Sequence, residues 1–431
     1  MPADPAASST TAADDPGGRT ARWLVVAVAL AAVVPVVYLL GTPHNFFDLK
    51  IYMSAMRWWA DGHPLYDYAQ PDRVQGELYF TYPPFTALLM RPFAGLPLGA
   101  TVTIFTIFTV LAVIVTTWWL VMSIADRRGF PRWLAAAVAI PLVFAAESTR
   151  ETITFGQINM LLVVLILGDL LFAVPRNSRW AGVGIGLATA LKLYPGIFIV
   201  YFLTTRRWRE AAVASASAAV ATLLAAAIAP GDSWRFWTHE LWATGRVGRT
   251  DYTGNQSLFG LLSRITVPEK PDQLLWLALV AVVGGFGLWR ASRAARGGDE
   301  LTGLALTGLV GALASPISWT HHVYWFIPAV LVLADAGLAQ PPGWEPSGLG
   351  RRRRRALLVL AAVVYGSVVY GVVSFHDWGV APVPTDSPIE FVLRNMYVLL
   401  AVLLLVVLPT RHLVREAPSN SVPRSGVPVT R

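Results

Sequence analysis

The segment GVGIGLATALKLYPGIFIVYFL, residues 182–203, is apolar throughout except for Lys192 near its middle. An unbroken helix of this length crosses a bilayer once. Pro195 disfavours helical conformation at the preceding residue, Tyr194, so the sequence predicts two short helices that meet at Lys192 and Pro195. Whether this segment crosses once or turns back decides on which side of a membrane every later segment lies.

The composition of the chain indicates a membrane protein. Of its 431 residues 55% are hydrophobic and 14% are charged, whereas soluble domains carry about a quarter charged residues. Several apolar runs are shorter than the ~20 residues of a usual spanning helix, which is tolerated where protein or a cavity satisfies the freed backbone groups. The runs cover residues 23–40, 102–124, 133–146, 160–174, 181–204, 211–229, 274–289, 301–315, 323–338, 356–375 and 397–408.

The arginine clusters predict the orientation, because short cytoplasmic loops are rich in Lys and Arg. If residues 181–204 form a broken pair, both termini and every arginine cluster lie on the cytoplasmic side. We therefore predict an all-α polytopic membrane protein of about 11–12 transmembrane helices, since no strand alternation or internal repeat is evident. The clusters are residues 19–22, 127–132, 176–179, 206–209, 290–296, 351–355 and 411–415.

Several classes of function are disfavoured by the residue types present. The net charge is +8, but the arginines flank apolar runs and are explained by topology, so no nucleic-acid partner is expected. The chain has no cysteine, which excludes disulfides and thiolate metal sites. There is no HExxH, DxD or Cys/His motif, and the adjacent His321 and His322 point in different directions on a helix. No metal and no other cofactor is therefore predicted.

The domain organisation follows from the distribution of apolar residues. Residues 1–18 are too polar to fold and are predicted to be a disordered cytoplasmic leader, followed by a retained first helix. Residues 19–415 are predicted to form a single transmembrane catalytic domain, and residues 416–431 a disordered cytoplasmic tail. The varied polar residues fall on the predicted extracytoplasmic side, where function is expected, in loops 41–101, 147–159, 230–273, 316–322 and 376–396.

Asp48, in the stretch NFFDLKIY of the first outer loop, has two interpretations. A carboxylate in the first turn of a helix caps it and complements its dipole. Alternatively, it serves chemistry at the membrane edge. The aromatic residues that follow, in RWWADGHPLYDY (residues 57–68), are expected to seat the loop on the membrane surface.

Other polar residues also remain open to two interpretations. Glu147, Arg150 and Glu151 form either a local ion pair or a functional cluster at the membrane edge. Lys192 either extends its charge to the interface or meets an anionic partner in a watery cavity. The pattern GNQSL, residues 254–258, matches a glycosylation acceptor, but a structural or binding Asn–Gln pair is the favoured interpretation.

Six motifs in one order resemble glycosyltransferase family 87. The motifs run from about residue 45 to residue 330 and are NFFDLKIY, FTYPPF, FGQINMLL, LKLYP, GRVG with NQSLFGLLSR, and SPISWTHHVYW. The resemblance implies a glycosyltransferase C fold with extracytoplasmic interfacial helices, in the cell membrane. It implies transfer of mannose from polyprenyl-phosphate-mannose, with inversion to an α-(1→2) linkage, to a glycolipid or lipoglycan such as a phosphatidylinositol mannoside.

The resemblance also implies roles for individual residues. Asp48 is expected to be the general base toward the acceptor hydroxyl, and apolar surroundings would raise its pKa toward working pH. His322 is a second catalytic candidate, and Lys192, His321 and Arg246 are candidates for binding the donor phosphate. The candidates for binding sugar or lining the acceptor path are Tyr52, Tyr82, Glu147, Arg150, Gln157, Asn159, Asn255, Gln256 and Trp319.

Three other functions remain to be compared with mannosyl transfer. Another polyprenyl-phosphate sugar, such as arabinose, is the nearest alternative. A transporter or flippase is expected to carry ionisable residues at helix centres and paired repeats, whereas here the polar residues cluster on one side. A catalytically silent scaffold would leave Asp48 as a helix cap only.

Overall fold

The protein is described by a computed structural model, which covers residues 16–74, 76–338, 350–371 and 381–410. The predicted tail 416–431, most of the predicted leader 1–18 and part of loop 376–396 lie outside the described residues. The first helix begins at Pro16, slightly before the predicted end of the leader.

The described residues fold almost entirely into helices, which confirms the all-α class. The helices are α1 (Pro16–Leu40), α2 (Phe47–Ala60), α3 (Pro84–Met90), α4 (Leu98–Arg128), α5 (Arg132–Ala145), α6 (Glu147–Phe155), α7 (Asn159–Gly168), α8 (Val183–Leu191), α9 (Ile197–Thr204), α10 (Trp208–Ile228), α11 (Pro230–Thr238), α12 (Leu258–Thr266), α13 (Gln273–Arg296), α14 (Glu300–Ala314), α15 (Phe326–Gly337), α16 (Arg351–Tyr370), α17 (Pro388–Arg394) and α18 (Met396–Val407).

One small hairpin, absent from the sequence prediction, lies in the first predicted outer loop. Strand β1 (Ala69–Asp72) pairs antiparallel with β2 (Gly76–Tyr79), and Ala69 lies opposite Tyr79. The hairpin belongs to a folded cap on the helical domain rather than to a membrane-spanning sheet.

The helices that are long enough to cross a membrane alone are fewer than the 11–12 predicted transmembrane helices. Among the described residues, α4, α10, α13 and residues Arg19–Leu40 of α1 are long and apolar enough to cross a membrane. Two bent pairs raise the number to six: α5 with α6, at 65°, and α17 with α18, at 75°. Four shorter apolar helices of 10–17 residues lie in other predicted spans, and such short elements persist in a membrane only where neighbouring protein covers their ends. Helix α16 has 20 residues but begins with five arginines.

The segment quoted at the outset is broken as predicted. Helix α8 ends at Leu191, Lys192 is extended (φ −153°, ψ 127°), and a short 3₁₀ turn over Tyr194–Gly196 leads into α9. The extended backbone at Lys192 follows from the proline three residues later, which leaves no room for a continuous helix.

Helix α14 forms the centre of the transmembrane core. Every residue from Leu301 to Leu313 is buried. At Gly308 the helix meets the indole of Trp325, where a Cβ atom would lie 2.0 Å from Cδ2. Glycine is therefore required at this position for α14 and the start of α15 to pack.

A second apolar cluster holds the outer cap in place. It gathers Leu49 and Met53 of α2 with Tyr66, Phe80 and Phe236 from three other segments of the cap. Because α2 belongs to this cluster, its first turn is fixed against the membrane domain rather than projecting into solvent.

Candidate active site

One cavity lies between the outer cap and the helical domain. Its volume is about 370 Å³. The residues that line it come from six stretches of the chain: 47–52, 78–83, 155–157, 192–194, 236–247 and 312–322. All six motifs that carry the family resemblance contribute residues to this lining. The cavity is therefore the place where the polar residues of the predicted outer loops converge.

The first turn of α2 places Asp48 in the cavity wall. The helix begins after Phe46, which has a left-handed backbone (φ 56°) and whose N–H donates to the Thr154 carbonyl at 2.7 Å. Gly156, with φ 73°, lets α2 approach closely, because a Cβ there would lie 2.6 Å from the Leu49 Cβ. These two contacts bring Asp48 beside residue 157.

Asp48 does not cap its helix by a hydrogen bond, although it lies in the first turn, where its charge complements the helix dipole. The structure gives α2 no side-chain cap, and the Asp48 carboxylate instead accepts a hydrogen bond from the Gln157 amide. Burial raises the pKa of Asp48 to about 6, although the Gln157 hydrogen bond and the charge of Lys192 oppose the rise. A carboxylate with such a pKa is ionised at neutral pH and can still accept a proton efficiently.

Two tyrosines complete the hydrogen bonding of Gln157. Its amide nitrogen also donates to the Tyr52 hydroxyl at 3.1 Å, and its oxygen accepts from the Tyr82 hydroxyl at 2.7 Å. Tyr52 in turn donates to Tyr82 at 3.0 Å. Because both hydrogens of the amide are used, the orientation of Gln157 toward Asp48 is determined by the network.

Lys192 lies in the same cavity, next to His322. Its Nζ atom lies 2.8 Å from His322 Nε2, 3.1 Å from Asn159 Oδ1 and 3.4 Å from the Tyr82 hydroxyl. Burial lowers the pKa of Lys192 to about 7, and the nearby Asp48 opposes this effect. Tyr194, which the sequence analysis missed, stacks on the His322 ring with a centroid separation of 6.2 Å.

The neighbouring His321 is fully enclosed. It is 4% exposed, and neither ring nitrogen has a hydrogen-bond partner among the described residues. Burial lowers its pKa well below the usual value, and the nearby charge of Lys192 acts in the same direction. His321 is therefore a neutral imidazole whose ring N–H lacks an acceptor.

Arg246 lies at another part of the cavity wall. It forms an ion pair with Glu240 at 2.8 Å, donates to the Tyr66 carbonyl at 2.8 Å and lies 3.9 Å from the centre of the Tyr79 ring. Glu240 was missed by the sequence analysis, because nothing in WRFWTHELW separates an acid that supports an arginine from an exposed one.

Five predicted sugar-binding residues, Asn159 among them, do not line the cavity. Glu147 accepts from the Tyr397 hydroxyl at 2.5 Å, and Arg150 donates to the carbonyls of Ala145 and of Val369, the latter at 3.0 Å. Both side chains bind other parts of the protein, so they are supports of the helical domain and the sugar-binding prediction for them is not supported by the geometry.

Asn255 and Gln256 also have structural contacts. Asn255 is fully buried, accepts from the Ser318 N–H at 2.9 Å and donates to the Pro316 carbonyl at 3.2 Å. Gln256 accepts from the Tyr397 N–H at 3.0 Å. The structural interpretation of this pair therefore holds, and Asn255 fixes the loop that carries both histidines.

The predicted site residues thus divide into those around the cavity and those away from it. Asn159 contacts Lys192 and donates to the His321 carbonyl at 3.1 Å. Among the described residues, no group of three or more His, Asp or Glu side chains is placed to hold a metal ion. The predicted residues that line the cavity are Asp48, Tyr52, Tyr82, Gln157, Lys192, Arg246, Trp319, His321 and His322.

Comparison with known proteins identifies the family. The model of glycosyltransferase family 87 matches residues 80–316. No solved structure matches the fold. A polyprenol-phosphate-mannose-dependent alpha-(1-2)-phosphatidylinositol mannoside mannosyltransferase of Mycobacterium tuberculosis is 36% identical over 361 residues, covering 79% of this chain and 80% of the relative.

Two further relatives show the range of activities among similar proteins. A polyprenol-phosphate-mannose-dependent alpha-(1-2)-phosphatidylinositol pentamannoside mannosyltransferase of Mycolicibacterium smegmatis is 31% identical, covering 77% of this chain and 80% of the relative. An alpha-(1->3)-arabinofuranosyltransferase of Mycobacterium tuberculosis is 30% identical, covering 75% of this chain and 76% of the relative. The family match and these relatives, together with the membrane helices and the polar cavity, show that the chain belongs to glycosyltransferase family 87.

Proposed function

We propose that this chain transfers mannose from polyprenyl-phosphate-mannose to a lipid-linked mannoside, forming an α-(1→2) linkage with inversion. The observation that carries the proposal is the single cavity in which Asp48 faces the pair formed by Lys192 and His322. One end of this arrangement suits removal of a proton and the other suits binding of an anion. The relatives that use polyprenol-phosphate-mannose, at 36% and 31% identity, are more similar to this chain than the arabinofuranosyltransferase, at 30%.

Asp48 is the proposed general base. The acceptor hydroxyl attacks the anomeric carbon, its proton passes to the Asp48 carboxylate, and the bond from that carbon to the phosphate oxygen breaks. The Gln157 hydrogen bond holds one carboxylate oxygen, so the orientation of the base is set before substrate arrives. A base pKa of about 6 lies close to working pH, where general-base catalysis is most efficient.

The donor phosphate is proposed to lie against Lys192, His322 and His321. A phosphate oxygen would accept a hydrogen bond from the buried His321 ring, which has no acceptor among the described residues. Preorganised donors of this kind stabilise charge as it develops on the leaving group. Arg246 lies on the same cavity and is proposed to assist on the phosphate side.

The remaining parts of the proposal concern partners and orientation. The acceptor is proposed to be a phosphatidylinositol mannoside or a related lipoglycan, and the surrounding partners are membrane lipids. The arginine clusters support a multi-pass protein of the cell membrane with both termini cytoplasmic and the cavity on the extracytoplasmic side. No metal or other cofactor is proposed to take part.

The test is transfer by the purified protein in liposomes that contain a phosphatidylinositol mannoside. Radiolabelled polyprenyl-phosphate-mannose is expected to label product, and the Asp48→Asn variant is expected to lose activity by at least about a hundredfold, the usual scale for a general base. Asp61→Asn is the matched control, because Asp61 is an exposed aspartate at the end of the same helix.

Two results would contradict the proposal. Labelling only from polyprenyl-phosphate-arabinose would assign the chain to arabinosyl transfer. One of the relatives is named as an arabinofuranosyltransferase. Full activity of Asp48→Asn would remove Asp48 from the chemistry while leaving mannosyl transfer itself in place.

A further inference from the structure

The hydrogen bonds around Lys192 define which atoms carry protons. Asn159 uses its amide nitrogen to donate to the His321 carbonyl, so its oxygen faces Lys192 at 3.1 Å. The Tyr82 hydroxyl donates its hydrogen to Gln157, so toward Lys192 it can only accept. Lys192 therefore donates two hydrogen bonds to these two partners.

The third neighbour, His322, donates a hydrogen bond to Lys192 instead of accepting one. The backbone N–H of Trp319 donates to His322 Nδ1 at 3.1 Å, so that nitrogen presents a lone pair. A neutral imidazole has one N–H, which is then on Nε2, 2.8 Å from the Lys192 nitrogen. An ammonium has no lone pair and cannot accept this hydrogen, whereas a neutral amine has two N–H groups and one lone pair.

The backbone of Ile317 favours the opposite assignment of the proton on the His322 ring. Burial lowers the pKa of His322 well below its usual value, and the Ile317 backbone opposes this effect by attracting a proton on the ring. The Trp319 N–H is held by the backbone and lies 3.1 Å from Nδ1, a hydrogen-bond distance, which places the ring proton on Nε2. The two assignments predict opposite effects of removing His322.

We propose that Lys192 is an uncharged amine in the donor-free site and takes up one proton when the phosphodiester of the donor binds, with His322 as the positioning residue. This inference rests on the proposed function. The proton comes from solvent, the amine becomes an ammonium, and the ammonium pairs with the phosphate oxyanion. No covalent bond of the donor changes in this step.

The charges around Lys192 are consistent with this assignment. Burial in the cavity lowers the pKa of Lys192 to about 7, and burial also lowers the pKa of both histidines well below the usual value, so both are neutral. Asp48 is the acid that favours the ammonium. The titratable or charged groups that line the cavity are Asp48, Tyr52, Tyr79, Tyr82, Tyr194, Glu240, Arg246, His321 and His322.

The first experiment measures the protonation of Lys192 directly. The chain contains three lysines, Lys50, Lys192 and Lys270, and only an uncharged amine reacts with trace acetic anhydride. Labelling of each lysine is followed by mass spectrometry between pH 5 and 10, with Lys50 and Lys270 as internal references. The labelling of Lys192 is expected to rise through about pH 7, and a rise only above about pH 10, the value of an unperturbed lysine, would overturn the proposal.

The second experiment asks whether replacement of His322 raises or lowers the pKa of Lys192. His322→Phe keeps a ring of similar size but removes both donor and acceptor. If Nε2–H donates to the amine, its loss destabilises the neutral form and the pKa of Lys192 rises. If an ammonium donates to Nε2, the pKa falls. A fall or no change would overturn the proposal, and the wild-type titration remains decisive if the variant does not fold.

The third experiment measures proton uptake on binding. A short-chain prenyl phosphomannose is a phosphodiester, whose own charge is constant over the range used. Calorimetric titration at pH 8 in Tris and in HEPES is expected to show uptake approaching one proton, and Kd is expected to rise about tenfold per pH unit above the pKa of the free lysine. Lys192→Met is expected to abolish the uptake.

The outcomes separate the inference from the proposed function. Binding with proton uptake supports both. Binding of the phosphomannose without proton uptake overturns the inference and leaves the proposed donor in place. Absence of binding, together with labelling of Lys192 near pH 7, contradicts the proposed donor and supports the uncharged lysine.

Discussion

Replacement of Gln157 by leucine tests how the protein tunes its proposed base. Gln157 donates a hydrogen bond to Asp48 and thereby lowers the pKa of that carboxyl, against the larger effect of burial. Leucine has a similar volume and no donor. Removing the bond is therefore expected to raise the pKa of Asp48 above its value of about 6.

The size of the effect follows from the strength of the bond. A hydrogen bond to a charged group contributes about 1.5–3 kcal/mol, and 1.36 kcal/mol corresponds to one pKa unit, so the expected rise is about 1–2 units. At pH 7 the ionised fraction of Asp48 would fall from about 90% to between about 50% and 10%. Transfer at pH 7 would fall in proportion and recover by about pH 9.

The assay is kcat/KM for the acceptor at saturating donor, measured from pH 5 to 9.5. The acidic limb of the profile is expected to move to higher pH in Gln157→Leu. Gln273→Leu is the control, since Gln273 is an exposed glutamine at the start of α13. Structural damage alone would lower activity equally at every pH, so an acidic limb that stays in place or moves to lower pH would refute the reasoning.

Three further predictions concern stability and positioning. Burial raises the pKa of Asp48 from 3.8 to about 6, so ionisation of Asp48 destabilises the fold as pH rises through that range. The Asp48→Asn variant should therefore be inactive but about 3 kcal/mol more stable than the wild type at pH 8. Chemical denaturation should show no such gain below pH 4. Gly308→Ala should lower Tm because its methyl group meets Trp325, whereas Gly285→Ala, with open space around it, should not; equal Tm values would contradict the packing argument. Asn255→Ala should lower kcat by displacing the histidine loop although Asn255 does not line the cavity, and an unchanged kcat in the same transfer assay would contradict a positioning role.

The grouping of the polar residues was easier to predict than the hydrogen-bond partner of each side chain. Asp48, Lys192 and His322 come from loops far apart in sequence; the sequence predicts them on one side, and in the structure they line one cavity. Asn255 is on the same side, but its amide is used by the Pro316 carbonyl and the Ser318 N–H. Whether a polar side chain is used by nearby backbone or left for a ligand depends on tertiary contacts that no local pattern contains.

The apolar runs did not predict which helices are long enough to cross a membrane alone; among the described residues there are four, or six if each bent pair is counted as one span. An apolar run indicates that a segment is buried, but it does not show whether lipid or protein buries it. Helix α14 has only 15 residues, and its residues Leu301–Leu313 are buried by the surrounding protein. The bend of 65° between α5 and α6 places Glu147 at a helix start, and hydropathy alone does not report such a bend.

The proposed protonation states explain why a lysine is useful opposite the base. Before transfer, the carboxylate of Asp48, the phosphodiester and the ammonium of Lys192 carry charges that sum to one negative charge. After transfer, Asp48 is neutral, the phosphate carries a second negative charge, and the sum is unchanged. The reaction therefore moves negative charge from Asp48 toward Lys192, so the ammonium interacts more strongly with the transition state than with the bound donor. Only such differential interactions accelerate the chemical step, and a lysine that becomes charged when the donor binds supplies one without leaving an unpaired cation buried in the empty cavity.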